Sequence, residues 1–202
     1  KEYRADYVVT GGQTMNPSTE DFVEAIKKVN AKKIFILPNN SNIIMAATQA
    51  CDVAPEGVEV KVIPSKTIPQ GLVACMMFNP EESFEQNVED MTSALESVKS
   101  GQVTNAIKDT SVNGVEIKEG EYIGIVNKEI VCSTPSRKET LESIIAEMVD
   151  DYSSIITLII GEGVEEAEVD AIVKELTDKY DEVEVDVKQG DQPVYPFMVG
   201  VE

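Results

Sequence analysis

The 202-residue chain contains no histidine. That removes the commonest general base, the commonest zinc ligand and every Ser–His or Cys–His pairing. Basic residues are scarce as well: 17 Lys and Arg stand against 37 Asp and Glu, a net charge of −20. Such a chain repels phosphates, which argues against nucleic acid and anionic membranes as partners. No apolar run approaches the ~20 residues of a membrane span, and Lys1-Glu2-Tyr3-Arg4 is not a signal peptide. Neither a Walker loop nor a Gly-x-Gly-x-x-Gly stretch occurs, so no phosphate-cradling motif is present. The three cysteines, Cys51, Cys75 and Cys132, are far apart in apolar surroundings, a usage that suits buried packing in a reducing, cytoplasmic setting. The sequence does not begin with Met, which reads as a fragment of a longer protein.

What is present is enough for a sizeable core, since 42% of the residues are apolar. The length fits one domain or two small ones. Tyr7-Val8-Val9 reads as a strand that stops at Gly11-Gly12, and a polar loop follows. A helix then opens with Ser18 or Thr19 as N-cap and Glu20 and Asp21 in its first turn, where carboxylates complement the helix dipole. Strand, loop and helix in that order place a binding loop at the carboxyl end of a strand. The loop carries no Lys, Arg, His or Cys, so it is equipped to bind rather than to catalyse.

The unit repeats. Phe22, Ala25, Ile26 and Val29 give one apolar helix face, and residues 34–37 read as a buried parallel strand. A polar loop over 38–42 leads into a helix over 43–51. A strand over 58–63 is followed by a third polar loop, 64–71, and a helix over 72–78. A long helix over 83–99, with Phe84, Val88, Met91, Leu95 and Val98 on one face, is expected to end at Ser100-Gly101. The domain boundary is placed there, giving residues 1–100 and 101–202. Short strands follow over 103–107, 115–117, 122–126 and 129–132, with turns at Asn113-Gly114 and Asn127-Lys128. A helix over 138–149, a strand over 154–160, a helix over 165–180, a strand over 183–187 and a closing strand over 197–201 complete the chain. The expected class is α/β in two subdomains: the first a mainly parallel sheet layered by helices, the second a mixed sheet with an antiparallel hairpin.

Specific wording carries a resemblance. Gly12 to Phe22, Ile36 to Asn42 with Ala46 to Ala50, and Val62 to Thr67 with Gln70-Gly71-Leu72 are similar to the three loops of DegV-type fatty-acid-binding proteins, in order and spacing. Gly11-Gly12-Gln13-Thr14-Met15-Asn16-Pro17, Pro38-Asn39-Asn40-Ser41-Asn42, Lys66-Thr67-Ile68-Pro69-Gln70-Gly71 and Gln192-Pro193-Val194-Tyr195-Pro196 resemble, over essentially the whole chain, the C-terminal domains of bacterial fatty acid kinase A subunits. The resemblance implies two DegV-like subdomains and family-motif loop positions at Gln13, Thr14, Asn16, Asn39, Asn40, Ser41, Ser65, Lys66 and Thr67. It also implies a non-catalytic role, because the nucleotide and magnesium site and the phosphoryl-transfer residues belong to other domains of such proteins. No cofactor, metal or catalytic residue is expected in this chain. Departures from the binding proteins are pointed. Asn39 and Asn40 replace paired serines, Ile43-Ile44-Met45 replaces a small segment, Pro64 replaces an aspartate, and the basic segment and late histidine have no counterpart.

The implied partner is an acyl-carrying fatty-acid-binding protein with a basic surface, beside the other domains of the same kinase polypeptide. Residues 101–202 hold 23 acids and 8 bases, against 14 and 9 in residues 1–100. An acidic groove between the two domains is therefore expected. Asp109, Glu116, Glu119, Glu121, Glu162, Glu165 and Glu166 would form its major wall, and Glu81, Glu82 and Glu85 would complete it. The rival reading is a DegV-type fatty-acid receptor in its own right, with Met45, Met76 and Met77 lining a tunnel. A hydrolase or transferase built on Ser41, Ser65 or Cys75 has only Lys66 as a nearby base. Gly161-Glu162-Gly163 reads as a strand-to-helix connection, Asp150-Asp151 as a solvated helix end, and Tyr152 and Tyr195 as one-sided core residues.

Overall fold

The computed structural model describes residues 5–11 and 16–202. The chain divides into two compact units, residues 1–97 and 98–202.

In the first unit α1 (Thr19–Val29) opens with a capping box. The Ser18 hydroxyl accepts from the Asp21 amide, and the Asp21 carboxylate accepts from the Ser18 amide at 2.7 Å. Phe22, Ala25 and Ile26 are its buried face. Strands β1 (Lys33–Ile36) and β2 (Glu59–Val62) pair in parallel. They alternate with α2 (Ser41–Asp52), α3 (Ile68–Met77) and α4 (Phe84–Ser93), the last prolonged by a 3-10 turn (Ala94–Ser97).

Two expectations fail in this unit. Tyr7-Val8-Val9 forms no strand: Tyr7 and Val8 are exposed, and Val9 alone packs on the cluster of α1 and α2, so the parallel sheet has two strands. The helix expected to run to residue 99 stops at Ser97, and Ser100-Gly101 lie inside a strand. Gly101 is therefore not a helix stop. A Cβ there would press on Met148 Cε at 2.8 Å and on Ile144 and Val199 methyls at 3.0 Å, so glycine serves close packing.

The second unit contains β3 (Lys99–Asn105), the hairpin β4 (Thr110–Val112) and β5 (Val115–Ile117), and a second hairpin of β6 (Tyr122–Val126) and β7 (Glu129–Thr134). Then follow α5 (Arg137–Met148), β8 (Ile155–Ile160), α6 (Glu166–Lys179), β9 (Glu184–Gln189) and β10 (Phe197–Val201). Six strands join in the order β7-β6-β3-β10-β8-β9. Only β8 and β9 are parallel; every other neighbouring pair is antiparallel. The closing strand β10 is thus central, paired on both sides, which explains why Phe197, Val199 and Val201 are all buried. Asn127 and Lys128, at φ 47° and 77°, form the tight turn between β6 and β7, and Asn113-Gly114 forms that between β4 and β5. Two side-chain assignments change: Tyr152 is 91% exposed rather than packed, and the three cysteines are half-buried rather than buried.

Candidate functional site

The family-motif loops of the first unit are occupied with capping. Asn40 caps α2, its Oδ1 accepting from the Asn42 amide at 3.0 Å, and Thr67 caps α3 by accepting from the Gln70 amide at 3.3 Å. Ser65 is fully buried and donates its hydroxyl to the Pro38 carbonyl at 2.5 Å, tying the loop after β1 to the loop after β2. The Lys66 amide donates to Gln70 Oε1 at 2.9 Å. Asn16 and Asn39 are exposed, Ser41 is half-buried at the start of α2, and Gln13 and Thr14 lie outside the described residues. A carboxylate needs donors, and the Ser65 hydroxyl proton is already given away.

Beneath these loops the first unit contains a hollow of about 1050 Å³. Phe22, Ile26, Ile34 and Ile43 wall one side and Met91 another, so it runs between the two apolar clusters of this unit. Met76 lines it, whereas Met45 and Met77 do not, and both stand exposed. Lys33 is the one cation among the described lining residues, and its ammonium sits 5.5 Å from the Phe84 ring centroid.

Nothing here assembles a nucleophile. Burial pushes the Cys75 thiol above its ordinary value, away from the reactive thiolate, and Lys66 is exposed. Among the described residues no group of three or more acids and cysteines is placed to hold a metal ion. No helix among them is long and apolar enough to cross a membrane. Asp150 instead accepts from the Tyr152 amide at 3.0 Å and pairs with Lys99, whose ammonium holds the carboxyl below its usual range.

The acids of the second unit have a common address. Strand directions in the six-stranded sheet put the carboxyl ends of β3, β7, β8 and β9 at the same edge as the amino ends of β6 and β10. Asp109, Glu116, Glu119 and Glu121 sit in the connection from β3 to β6, and Glu162, Glu165 and Glu166 in the connection from β8 to α6. All seven therefore lie at one end of this sheet. Asp109 Oδ1 accepts from the Glu119 amide at 2.7 Å, and Glu121, half-buried, accepts from the Ser133 hydroxyl at 2.8 Å. The other five are exposed.

Two cations of this end are engaged by acids elsewhere. Arg137 pairs with Glu168 through two nitrogens and donates to the Gly163 carbonyl at 3.2 Å, which raises its basicity and pins the Glu162 loop. Lys138 bonds Glu175 at 2.5 Å and reaches Glu142 at 3.7 Å. Glu81, Glu82 and Glu85 are exposed at the start of α4 and belong to the first unit.

Sequence reasoning missed the connection from β9 to β10 at this same end. Asp191 and Val194 hold positive φ of 51° and 73°, and Gln192 Nε2 donates to the Ile159 and Tyr195 carbonyls, both at 3.1 Å. A Cβ on Gly161 would collide with the Tyr195 carbonyl, and one on Gly190 with Gln192 Oε1, so both glycines are needed to seat this loop. The paired glycines and Gln192-Pro193 were the available signal.

This two-unit α/β architecture is that of the DegV family of fatty-acid-binding proteins. The Streptococcus pneumoniae Fatty Acid Kinase (Fak) B3 protein, solved loaded with linoleic acid, superposes at TM-score 0.67 over 92% of this chain and 76% of its own, with 14% identity. A fatty-acid-binding DegV family protein from Thermus thermophilus gives TM-score 0.65 over 93% and 78%, with 15% identity. By sequence the chain belongs to the FakA-like C-terminal family of fatty acid kinases, whose model matches residues 1–202. It is 45% identical over its whole length to Protein YloV of Bacillus subtilis and 40% identical to a Staphylococcus aureus protein, and it spans 36% of the length of each.

Proposed function

We propose that this chain is the non-catalytic docking part of a fatty acid kinase and that it binds an acyl-carrying fatty-acid-binding protein with a basic surface. Phosphorylation of the fatty acid, feeding phospholipid synthesis in the cytoplasm, is then the work of other domains of the same polypeptide. The observation that carries this reading is the gathering of seven acids at one end of the second unit's sheet while Arg137 and Lys138 of that end are neutralised by Glu168, Glu175 and Glu142. A one-sign surface of this kind speeds encounter and fixes orientation more than it adds affinity.

Each rim pair contributes only about 0–1 kcal/mol, so clusters must be reversed together. Asp109 and Glu121 hold hydrogen bonds of the fold, which leaves Glu116, Glu119, Glu162 and Glu166 as the residues to change. Sedimentation of the chain with the fatty-acid-binding protein of the same genome, at low and high salt, tests the reading. Reversal of Glu116 with Glu119, or of Glu162 with Glu166, to lysine is expected to weaken the complex and flatten its salt dependence. Binding unchanged by both pairs rejects it. A parallel reversal of Glu81, Glu82 and Glu85 asks whether the first unit contributes.

The second reading, a DegV-type fatty-acid receptor, is favoured by one observation, the apolar hollow of about 1050 Å³. Against it stand the spent Ser65 hydroxyl and the engagement of Lys33, the hollow's cation, with the Phe84 ring. Native mass spectrometry separates the two readings: co-purified fatty acid supports the receptor, an empty chain the docking part.

A further inference from the structure

Two exposed aliphatic side chains interrupt the acidic end of the second unit's sheet. Ile107 is 86% exposed and follows β3; Val194 is 58% exposed and precedes β10. Strands β3 and β10 are hydrogen-bonded neighbours, with Val103 opposite Phe197, so the two residues leave the sheet side by side. The Thr104 hydroxyl donates to the Val194 carbonyl at 3.2 Å, which binds the two connections together. In the sheet order these strands stand in the middle, so Ile107 and Val194 emerge between β6 with its Glu121 and β8 with its Glu162 to Glu166.

Val194 is also held in a conformation that its own side chain opposes. At φ 73° it occupies the left-handed region, where a branched Cβ crowds the backbone and glycine or asparagine is the ordinary occupant. The surroundings impose it. Gln192 clamps the loop from both sides, Gly161 and Gly190 leave no room for a Cβ, and the Gly161 amide donates to the Pro196 carbonyl at 2.9 Å. An aliphatic group that is both exposed and strained gains nothing for the isolated fold. Strain of this kind is retained where a surface has a task.

We propose that Ile107 and Val194 are the apolar centre of the docking surface, ringed by Glu116, Glu119, Glu162 and Glu166, and that they seat on an aliphatic patch lying between the basic residues of the partner. The occupant is fixed by charge complementarity: a patch framed by carboxylates on both sides rejects an acidic neighbour, including a second copy of this chain. Small apolar anchors at the middle of an interface, sealed from water by a polar ring, carry binding energy out of proportion to their area. The ring then governs the rate and salt dependence of encounter, and the centre governs how long the complex lasts. This inference rests on the docking reading.

The test measures dissociation constants of the full 202-residue chain with the same acyl-loaded fatty-acid-binding protein, at three salt concentrations. Ile107→Ser and Val194→Asn are each expected to weaken binding about tenfold without altering the slope of affinity against salt. Val194→Asn is expected to melt higher than the parent, because asparagine tolerates the left-handed backbone; weaker binding with higher stability separates a lost contact from a damaged fold. Val194→Ile, which keeps an apolar group, is expected to bind as the parent does. If Ile107→Ser and Val194→Asn bind within twofold of the parent while the glutamate reversals weaken the complex, the apolar centre is overturned and docking stands. If the reversals also leave binding untouched, the docking reading itself falls.

Discussion

The two units share an α/β plan and differ in how completely they use it. The second joins six strands and packs fourteen buried apolar side chains into one cluster, with Leu141, Ile144, Ile145, Met148 and Ile156 wholly inaccessible. The first has two paired strands, and its described core falls into clusters of seven and four buried residues with a hollow between them. A sheet closed by long-range pairs gives a rigid platform on which exposed side chains keep their places. A two-stranded sheet depends instead on helix caps and loop bonds such as Ser65 to Pro38. The platform is where the acids and the two exposed aliphatics sit, which is the arrangement a docking surface needs.

Truncation in the cores should separate the units most. Ile156→Ala leaves a cavity in a closed cluster and should cost about 2–5 kcal/mol, toward the upper end. Ile26→Ala, nearly as buried but beside the hollow, should fall toward ~2 kcal/mol, because its neighbours can relax or water can enter. Urea unfolding with hydrogen exchange read unit by unit checks both, and equal losses would break the contrast.

Added volume comes next. Gly124→Ala would set a Cβ 2.5 Å from Cys132 Sγ and from an Ile144 methyl, an overpacking that should cost about 1–3 kcal/mol. Gly57→Ala in the first unit meets nothing within 4 Å and should lose only the ~1–2 kcal/mol of its left-handed backbone, φ 82°. Thermal melts of the two variants distinguish a packing cost from a backbone cost.

Helix caps are a smaller contrast with opposite signs. Ser18→Ala removes half of the α1 capping box and should cost about 1 kcal/mol. Glu165, the N-cap of α6, makes no side-chain cap bond, so Glu165→Ser should stabilise the second unit by about 0.5–1 kcal/mol. Chemical denaturation midpoints should move in opposite directions.

The smallest effect is acid loss. Asp21 is held below its ordinary 3.8 by the Ser18 amide first and the Ser18 hydroxyl second, and Asp150 chiefly by the Lys99 ammonium. A depressed folded pKa contributes stability that is complete above 3.8 and is lost as pH falls through the lower folded value. Glu202 runs the other way: burial raises it above 4.5, so folding is favoured as pH falls through that higher value. Below pH 3.8 the Asp21→Asn and Asp150→Asn variants should lose less stability than the parent in acid titrations followed by circular dichroism. A parallel decline in all three would break the assignment.

Local signals were legible wherever one element decides its own structure. The apolar face of Phe22, Ala25 and Ile26, the Asn113-Gly114 turn and the strand over residues 122–126 all stand as the sequence predicts. Val98 shows the limit. It continues the helical spacing of Met91 and Leu95 and is buried, yet the chain turns into β3 one residue later, because pairing with β10 outweighs another helical turn. Tyr7 to Val9 has strand composition but no ladder to join. The acids could be named from charge alone, whereas their shared end required the order β3-β10-β8, a long-range fact. Ile107 and Val194 read as ordinary core residues until that order exposes them.

The central place of β10 also bears on synthesis. Until residues 197–201 have left the ribosome, β7-β6-β3 and β8-β9 are two part-sheets, each with a bare edge of unpaired amides and carbonyls where β10 will lie. The last strand to be made must insert between the first strand of the unit and β8, bridging about a hundred residues of sequence on one side. Growth of this unit on the ribosome is therefore a race between that insertion and edge-to-edge association, and a nascent-chain chaperone has its longest watch here.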